Sequence, residues 1–333
     1  MSAIRSTPAS LYRFRASLQI AGTLQSLINL QGADMTSPTL AFLGIGLMGK
    51  PMASRLARAG FTVRAWNRSP EKAEALRALG ADPQPELAHA VGGADIVISM
   101  LESGAVVDQL IDAALPALKP GALWIDMSST QQGEATAFHA RLQAKGIGFI
   151  DSPVSGGVVG AEAGTLAIMA GGSVQDFALA EPILGAMGRP TLVGPAGSGQ
   201  VAKLCNQLIV GGTLDIVAEA LLLAHAAGAD PAAVRAAIRG GFAESRILEV
   251  HGQRMLERNF MPGGQVKSQL KDMQNVLVAA ADAGVVLPVA ALVTEHYRSI
   301  VADYPAADQC AALLALEKVN PGQRLGDAPD QLP

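Results

Sequence analysis

The chain has 333 residues, which is more than one domain usually holds, so two domains with separate cores are expected. Hydrophobic residues make up 50% of the chain and charged residues only 16%, a composition that excludes an intrinsically disordered protein. The formal net charge of −4, without any run of basic residues, argues against nucleic acid as a partner. Charged residues inside the most apolar stretches argue against a membrane-spanning protein.

Residues 1–38 form a leader that differs in composition from the rest of the chain. It contains three arginines but no acidic residue before Asp34, a pattern typical of organelle transit peptides. The interpretation we favour is that translation begins at Met35 or that the leader is a disordered arm outside the fold. The expected location is therefore the cytoplasm, with the mitochondrial matrix as the alternative if the leader is a transit peptide.

The first predicted strand, Thr39–Leu43, runs directly into a glycine-rich turn and then into a helical stretch from Lys50. In such a turn the first glycine permits a tight bend, the second lets the backbone approach a pyrophosphate, and the third lets helix and strand pack closely. The helix N-terminus adds unpaired N–H groups that favour phosphate. The pattern predicts a dinucleotide site formed by Gly44, Gly46, Leu47, Met48 and Gly49.

The second predicted strand, Thr62–Trp66, ends at Asn67 and Arg68, where an acidic residue would bind the ribose 2′-hydroxyl of NAD. Asn67 is neutral, and Arg68 is suited to pair with a 2′-phosphate, so NADP is the predicted cofactor and NAD the alternative. If Arg68 is instead a surface arginine without a role in binding, the choice between NADP and NAD stays open.

Three more apolar runs of strand length follow, at Ile96–Leu101, Leu123–Met127 and Ile147–Ile150. They alternate with helical stretches at Pro70–Leu79, Val106–Leu118 and Gly133–Lys145. Such alternation predicts an α/β fold, a Rossmann-type N-terminal domain with a doubly wound parallel sheet at residues 39–195. Because ligands lie beyond the carboxyl ends of such strands, the predicted cofactor contacts extend to Met100, Leu101, Ser128 and Ser129.

Two further segments contain residues suited to proton transfer or to binding a carboxylate. Lys203 lies in a long apolar helical stretch and shares a helix face with Asn206 and Gln207. Burial there would lower the pKa of the lysine towards the range useful for proton transfer, whereas a lysine that snorkels at a domain boundary would have no such role. Upstream, Ser155, Gly156 and Gly157 follow a strand and predict either a backbone nest for a carboxylate or a plain glycine turn.

Taken in order along the chain, these motifs resemble those of the β-hydroxyacid dehydrogenases, a family that includes 3-hydroxyisobutyrate dehydrogenase and tartronate semialdehyde reductase. The resemblance covers about residues 39–318 and also rests on Asp126–Ser129 and on Leu270, Lys271 and Asp272. It implies that Lys203 is the general acid/base and that Ser155, Gly156 and Gly157 hold the substrate carboxylate. It further implies that Asn206 and Gln207 orient the substrate and that Lys271 reaches both substrate and cofactor.

The resemblance implies hydride transfer between a nicotinamide and a small β-hydroxy acid or semialdehyde. Many relatives have asparagine where this chain has Gln207, and the Asn206-Gln207 pair, like Arg239–Ala243, is similar to the tartronate semialdehyde reductase branch. Reduction of 2-hydroxy-3-oxopropionate to glycerate is therefore the preferred reaction, and oxidation of 3-hydroxyisobutyrate is the alternative. A non-catalytic dinucleotide-binding module is the alternative of another class, which Lys203 disfavours.

The remaining chain predicts an all-helical C-terminal domain at residues 196–320, linked to the first by the long Lys203 helix, and a flexible tail at residues 321–333. The helices are expected at Pro231–Arg239, Glu244–Arg258, Val266–Ala283, Pro288–Ala302 and Ala307–Leu316. Apolar helices of this kind are typical of a homodimer or homotetramer. The five histidines show no ligand spacing, so no metal is predicted, and Asp126 and Asp151 are expected to have structural hydrogen-bonding roles.

Overall fold

A computed structural model describes residues 38–333, so nearly all of the predicted leader lies outside the described residues. Within them, nine strands form one sheet. Their bounds are β1 Thr39–Leu43, β2 Thr62–Trp66, β3 Asp82–Pro83, β4 Ile96–Ser99, β5 Leu123–Asp126, β6 Gly148–Asp151, β7 Val154–Ser155, β8 Leu166–Gly171 and β9 Gly188–Gly194. The strands predicted from the sequence are all present, and their bounds differ only slightly from those expected.

Helices connect the strands and make up most of the described chain after the last of them. Their bounds are α1 Gly49–Arg58, α2 Pro70–Glu74, α3 Leu87–Val91, α4 Gly104–Ala114, α5 Gln132–Gln143, α6 Gly157–Ala163, α7 Val174–Gly185, α8 Ser198–Ala226, α9 Pro231–Ile238, α10 Arg246–Leu256, α11 Val266–Asp282, α12 Pro288–Ile300 and α13 Ala312–Val319. The predicted combination of a Rossmann-type sheet followed by a helical region is confirmed. The predicted domain boundaries themselves stay predictions.

Six strands form the parallel sheet in the order β3-β2-β1-β4-β5-β6. The register aligns Leu43, Ser99, Asp126 and Asp151 across β1, β4, β5 and β6. These residues end their strands, so the loops that follow them lie side by side along one edge of the sheet. This edge brings together the segments that the sequence analysis selected.

The far end of the sheet departs from the predicted parallel arrangement. Strand β8 pairs antiparallel with β6 and β7, and β9 pairs parallel with β8. Neither β8 nor β9 was predicted. The β9 segment contains Pro190 and glycine at both ends, residues that normally argue against a strand, and it is tolerated here because β9 is an edge strand.

The sheet is buried on both faces. Leu40 and Phe42 of β1 contribute to the apolar cluster on one face, whereas Ala41 and Leu43 contribute to the cluster on the other. Successive strand residues point to opposite faces, so a strand covered on both sides needs apolar residues throughout. This requirement explains the continuous apolar runs in the sequence.

A third apolar cluster surrounds α8 in the helical region, with residues such as Leu214, Leu221 and Tyr297. By length and mean hydropathy, 1.7 in its most apolar window, α8 would be able to cross a membrane, but half of that window is buried inside the protein. The helix also carries the buried Lys203 and Asp215. We therefore describe it as a core helix.

Helix ends differ from the predictions where side chains or tighter turns intervene. The stretch predicted as Pro70–Leu79 ends its α-helix at Glu74 and continues as a 3₁₀ turn, Arg77–Leu79, before the left-handed Gly80. The last helix was expected from Ala307, but the Asp308 side chain accepts the Cys310 N–H at 3.0 Å and starts a 3₁₀ turn there instead. The α-helix begins only at Ala312.

The tail at residues 321–333, for which flexibility stays a prediction, makes several contacts with the helical region. Arg258 is 1% exposed and donates to Glu317 at 2.7 and 2.9 Å, to the Leu325 carbonyl and to Asp330. The tail backbone also pairs with the loop before α11, since the Phe260 N–H donates to the Gln331 carbonyl. A buried guanidinium needs charged partners, and the tail supplies one of them.

Candidate functional site

The glycine-rich turn between β1 and α1 is closed by two glycines that cannot be replaced without a clash. Gly44 has φ 101°, and a Cβ there would lie 2.3 Å from the Met100 carbonyl oxygen. A Cβ at Gly49 would lie 1.9 Å from the Gly44 carbonyl oxygen. At Gly46, by contrast, a Cβ would meet no atom within 4 Å. The space in front of Gly46 is open, as close approach of a ligand requires.

Asn67 has a structural contact that the sequence analysis missed. Its side-chain oxygen accepts the Ile45 N–H at 2.9 Å, and its amide nitrogen donates to the Ser69 carbonyl at 3.1 Å. Asn67 therefore braces the glycine-rich turn from the end of β2. Arg68 next to it is exposed and pairs with none of the residues 38–333, which leaves its guanidinium free for a ligand.

A cavity of about 790 Å³ borders the same turn. It is lined on one side by Ile45, Gly46 and Leu47 and on another by Glu71 and Lys72 of α2. Exposed groups of both charges and the open glycine line it. The turn thus faces solvent-accessible space large enough for part of a ligand.

The loops after β4 and β5 are joined by hydrogen bonds at the row of strand ends. The Asp126 carboxylate accepts the hydroxyls of Ser99 and Ser128 at 2.8 and 2.7 Å, and the Ser128 hydroxyl accepts the Leu101 N–H at 2.9 Å. Burial raises the pKa of Asp126 to about 7, and the serine hydrogen bonds only partly offset this effect. The structural role predicted for Asp126 is confirmed. The hydrogen bond between Leu101 and Ser128 joins the two loops, and their contact with a cofactor stays a prediction.

Asp151 attaches α8 to the sheet. Its carboxylate accepts the Gly197 N–H at 2.7 Å and the Gln200 N–H at 2.8 Å at the start of the helix. Burial raises the pKa of Asp151 to about 6, while the backbone hydrogen bonds lower it. The predicted structural role of Asp151 is confirmed, and its position at the end of β6 sets where α8 begins.

Lys203 is 9% exposed, which does not support the snorkelling alternative. Its ammonium donates to the Gln207 side-chain oxygen at 2.9 Å, and Asn206 donates to the same oxygen at 2.9 Å. Burial lowers the pKa of Lys203, the charge of Asp272 raises it, and the charge of Lys271 lowers it. The three residues predicted to share a helix face therefore form one hydrogen-bonded group.

Helix α11 completes this group with Gln269 and Asp272, to which the sequence analysis gave no role. The Gln207 amide donates to Asp272 at 2.7 Å and to the Gln269 side-chain oxygen at 3.1 Å. The Lys271 ammonium donates to the Ser129 carbonyl at 3.2 Å, and its nitrogen lies 3.3 Å from a carboxylate oxygen of Asp272. Asp272 belongs to the Leu270-Lys271-Asp272 motif, so that motif was the available signal, whereas nothing marked Gln269.

Ser155, Gly156 and Gly157 lie where β7 ends and α6 begins, and α8 packs against β7. Gly156 has φ 140° and Gly157 has φ 63°, conformations that favour glycine. A Cβ at Gly157 would meet no atom within 4 Å. Within residues 38–333 no hydrogen bond joins these three residues to Lys203, so a role in one substrate site stays a prediction.

One group of metal-type ligands, His251, Asp308 and Cys310, lies within 4.8 Å in the described part of the chain. The spacing of histidines in the sequence did not reveal it. The Asp308 carboxylate already accepts the N–H groups of Gly263 and Gly264 at 2.8 and 3.1 Å, and Arg254 lies 3.6 Å away. These donors satisfy the Asp308 carboxylate, and the neighbouring guanidinium repels cations, so Asp308 is a hydrogen-bonded anchor for the loop.

Comparison with known proteins gives matches along nearly all of the described chain. Residues 39–211 match the family described as the NAD binding domain of 6-phosphogluconate dehydrogenase. Residues 197–316 match the family described as NAD-binding of NADP-dependent 3-hydroxyisobutyrate dehydrogenase. The two matches meet on α8, the helix that carries Lys203.

Two curated relatives and one solved structure support the same assignment. The chain is 38% identical over 290 residues to 2-hydroxy-3-oxopropionate reductase of Escherichia coli strain K12, covering 84% of this chain and 99% of that protein. It is 34% identical over 288 residues to a probable 3-hydroxyisobutyrate dehydrogenase of Mycobacterium tuberculosis, covering 84% and 97%. A structure of Mycobacterium tuberculosis 3-hydroxyisobutyrate dehydrogenase with L-serine has TM-score 0.78 and 32% identity, covering 84% and 99%.

The charges around Lys203 predict opposite effects of two substitutions on its pKa. Asp272→Asn removes an attractive charge and should lower the pKa further, whereas Lys271→Met removes a repulsive charge and should raise it. The Lys203 13Cε chemical shift, followed by NMR during a pH titration, measures the change. Lys145→Met, which changes an exposed lysine in the turn after α5, is the control and should have no effect. Shifts in the same direction for both site variants would contradict this electrostatic description.

Proposed function

The chain belongs to the β-hydroxyacid dehydrogenase family, a family of nicotinamide-dependent oxidoreductases, and on this premise we propose that Lys203 is the general acid/base in its reaction. The reaction proposed is hydride transfer between a nicotinamide cofactor and a small β-hydroxy acid or semialdehyde. The observation that carries the proposal is the buried Lys203, whose pKa is lowered by burial and whose ammonium is held by Gln207 at 2.9 Å. A lysine whose pKa is lowered gives up and takes back a proton more readily than a fully solvated one, as a general acid/base must.

The proton step follows from the hydrogen bonds of Lys203. In reduction, its ammonium donates one hydrogen to Gln207 and has others available for the carbonyl oxygen of the substrate. In oxidation, the neutral amine accepts the proton of the substrate hydroxyl. When bound, the nicotinamide cofactor supplies or accepts the hydride.

The glycine-rich turn fits such a cofactor because the space in front of Gly46 is open and the N-terminus of α1 follows it. We assign Ser155, Gly156 and Gly157 to the substrate carboxylate, and Asn206, Gln207 and Lys271 to orienting the substrate. The residues assigned to the cofactor are Gly44, Gly46, Leu47, Met48, Gly49, Asn67, Arg68, Met100, Leu101, Ser128, Ser129 and Lys271. For Asn67 the support is indirect, because it braces the turn through Ile45.

Lys203→Ala should abolish turnover and leave cofactor affinity nearly unchanged, because the lysine acts on the transferred proton and not on the pyrophosphate. A loss of about 100-fold or more in kcat is expected from removing a general acid/base. Steady-state kinetics and fluorescence titration with the cofactor measure the two quantities. Lys203→Arg keeps the charge but cannot release a proton and should be similarly inactive, whereas Lys145→Ala is the active control. Substantial turnover in Lys203→Ala would refute the assignment.

For the substrate, we propose 2-hydroxy-3-oxopropionate, which would be reduced to glycerate. The support is the 38% identity to a relative named for this reaction and the Gln207 that follows Asn206. The second candidate is 3-hydroxyisobutyrate, after the relatives named 3-hydroxyisobutyrate dehydrogenase. A spectrophotometric panel of tartronate semialdehyde, D-glycerate, 3-hydroxyisobutyrate, L-serine and succinic semialdehyde, each with both cofactors, compares kcat/KM directly and ranks the candidates.

For the cofactor, we propose NADP, with NAD as the alternative. Arg68 is exposed at the end of β2, and no acidic residue stands at this strand end for a ribose 2′-hydroxyl. Arg68→Ala should weaken NADPH by about 10-fold or more, since a hydrogen bond to a charged group contributes about 1.5–3 kcal/mol, and should leave NADH nearly unchanged. Binding titrations measure both. Arg77→Ala removes an exposed arginine that pairs with Glu74 and serves as control. Equal loss for both cofactors would remove Arg68 from the site.

We also propose that the enzyme is a homodimer or homotetramer. Ile209, Ile216 and Leu223 recur every seventh residue on α8 and are 67%, 63% and 69% exposed, so they form an apolar stripe that residues 38–333 leave uncovered. Ile216→Glu should lower the oligomeric state in multi-angle light scattering, and an unchanged mass would exclude the stripe as the interface.

Both cysteines are free thiols, which fits the proposed cytoplasmic location, or the mitochondrial matrix if the leader is a transit peptide.

A further inference from the structure

Gln200 makes contacts that none of the roles above explains. It lies in the first turn of α8, and its side chain is 0% exposed. Its side-chain oxygen accepts the Thr130 N–H at 3.0 Å, and its amide nitrogen donates to the Ser128 carbonyl at 2.8 Å. We infer that Gln200 is a positioning residue that fixes Lys203 relative to the loop after β5. The inference rests on the proposed function of Lys203.

The loop that Gln200 holds connects the other parts of the candidate site. Ser128 accepts the Leu101 N–H from the neighbouring loop and donates to Asp126. The Ser129 carbonyl accepts a hydrogen bond from Lys271 at 3.2 Å. The position of this loop therefore affects both strand-end loops assigned to the cofactor and the lysine on α11.

On the helix side, Gln200 is tied to the same turn as the lysine. Its backbone N–H donates to Asp151 at 2.8 Å, and Lys203 follows three residues later, about 4.5 Å along the axis at 1.5 Å per residue. Residues three apart also share a helix face. A displacement of the loop is therefore transmitted to Lys203 through one turn of rigid helix.

The primary amide is the side chain that this position requires. Two buried backbone groups of the loop, one donor and one acceptor, need partners at the same time. An amide offers both an acceptor and a donor on one planar group, whereas an ionised carboxylate offers only acceptors and a thioether offers no donor. Substitution thus changes the attachment of the loop in a way that depends on the chemistry of the side chain and not only on its volume.

The first test uses the cofactor-free protein. Gln200→Met keeps a side chain of similar length and removes both hydrogen bonds. Amide hydrogen exchange at Thr130 should become at least about 10-fold faster, because its N–H loses its buried acceptor. Thr294→Val, which removes a buried side-chain hydrogen bond to the Ala290 carbonyl in α12, is the control and should leave Thr130 unchanged. Unchanged exchange at Thr130 in Gln200→Met would overturn the inference.

The second test separates positioning from stability. Stopped-flow single turnover at saturating NADPH and tartronate semialdehyde, or the best substrate of the panel, gives a rate constant that reports geometry and an amplitude that reports the competent fraction. Gln200→Met should lower the rate constant by about 10-fold or more and keep the amplitude, since small misplacement of a catalytic group has effects of this order. A reduced amplitude with an unchanged rate constant would show a merely structural role and overturn the inference.

A third variant gives a pH-dependent rescue. Gln200→Glu retains the acceptor for Thr130, and only its protonated form can also donate to Ser128. Its rate constant, divided by that of the wild type at each pH, should therefore rise as pH falls, and a ratio independent of pH would count against the inference.

The proposed function is tested separately from the role of Gln200. Turnover by Lys203→Ala refutes the proposed function. An inactive Lys203→Ala together with wild-type behaviour of all Gln200 variants refutes only the positioning role.

Discussion

The attachment of α8 to the sheet through Asp151 is the interaction on which the rest of the site depends. The carboxylate is fully buried at the end of β6 and accepts two N–H groups from the start of the helix. The junction has no spare room, since a Cβ at Gly199 would lie 2.5 Å from the Asp151 carbonyl oxygen. The N-terminus of a helix stabilises a negative charge, so a 29-residue helix is held at a defined point and direction.

The direction of α8 places Lys203 in a polar group around the Gln207 side chain. Each donor and acceptor of that side chain has a partner. The Gln207 oxygen accepts from Lys203 and Asn206, and the Gln207 nitrogen donates to Gln269 and Asp272. All four hydrogen-bonding positions of this amide are used, which fixes its orientation and leaves the lysine one defined acceptor. The group links α8 to α11, and Lys271 continues the link to the loop after β5.

The features predicted best from the sequence are those that depend on residues close together in the chain. Strand β1, the glycine-rich turn and α1 follow from local pattern, and Lys203 and Gln207 share a face because they are four residues apart. Gln269 and Asp272 are 62 and 65 residues from Gln207, and no local pattern joins them. From its position at a strand end, Asn67 is predicted to contact the cofactor. Its hydrogen bond to Ile45 becomes visible only when β1 and β2 are paired. The antiparallel β7 has two residues, too few for a period to appear.

The docked tail has a consequence for the order in which the chain folds during synthesis. The nine strands of residues 38–333 all lie before residue 195, so the sheet can form while the helical region is still being made. Arg258, in contrast, receives the carboxylate of Asp330 only when that residue has left the ribosome. Until then its guanidinium lacks one of its two carboxylate partners. The ion pair between Asp330 and Arg258 can therefore form only after the sheet and the helices up to α13 have been synthesised.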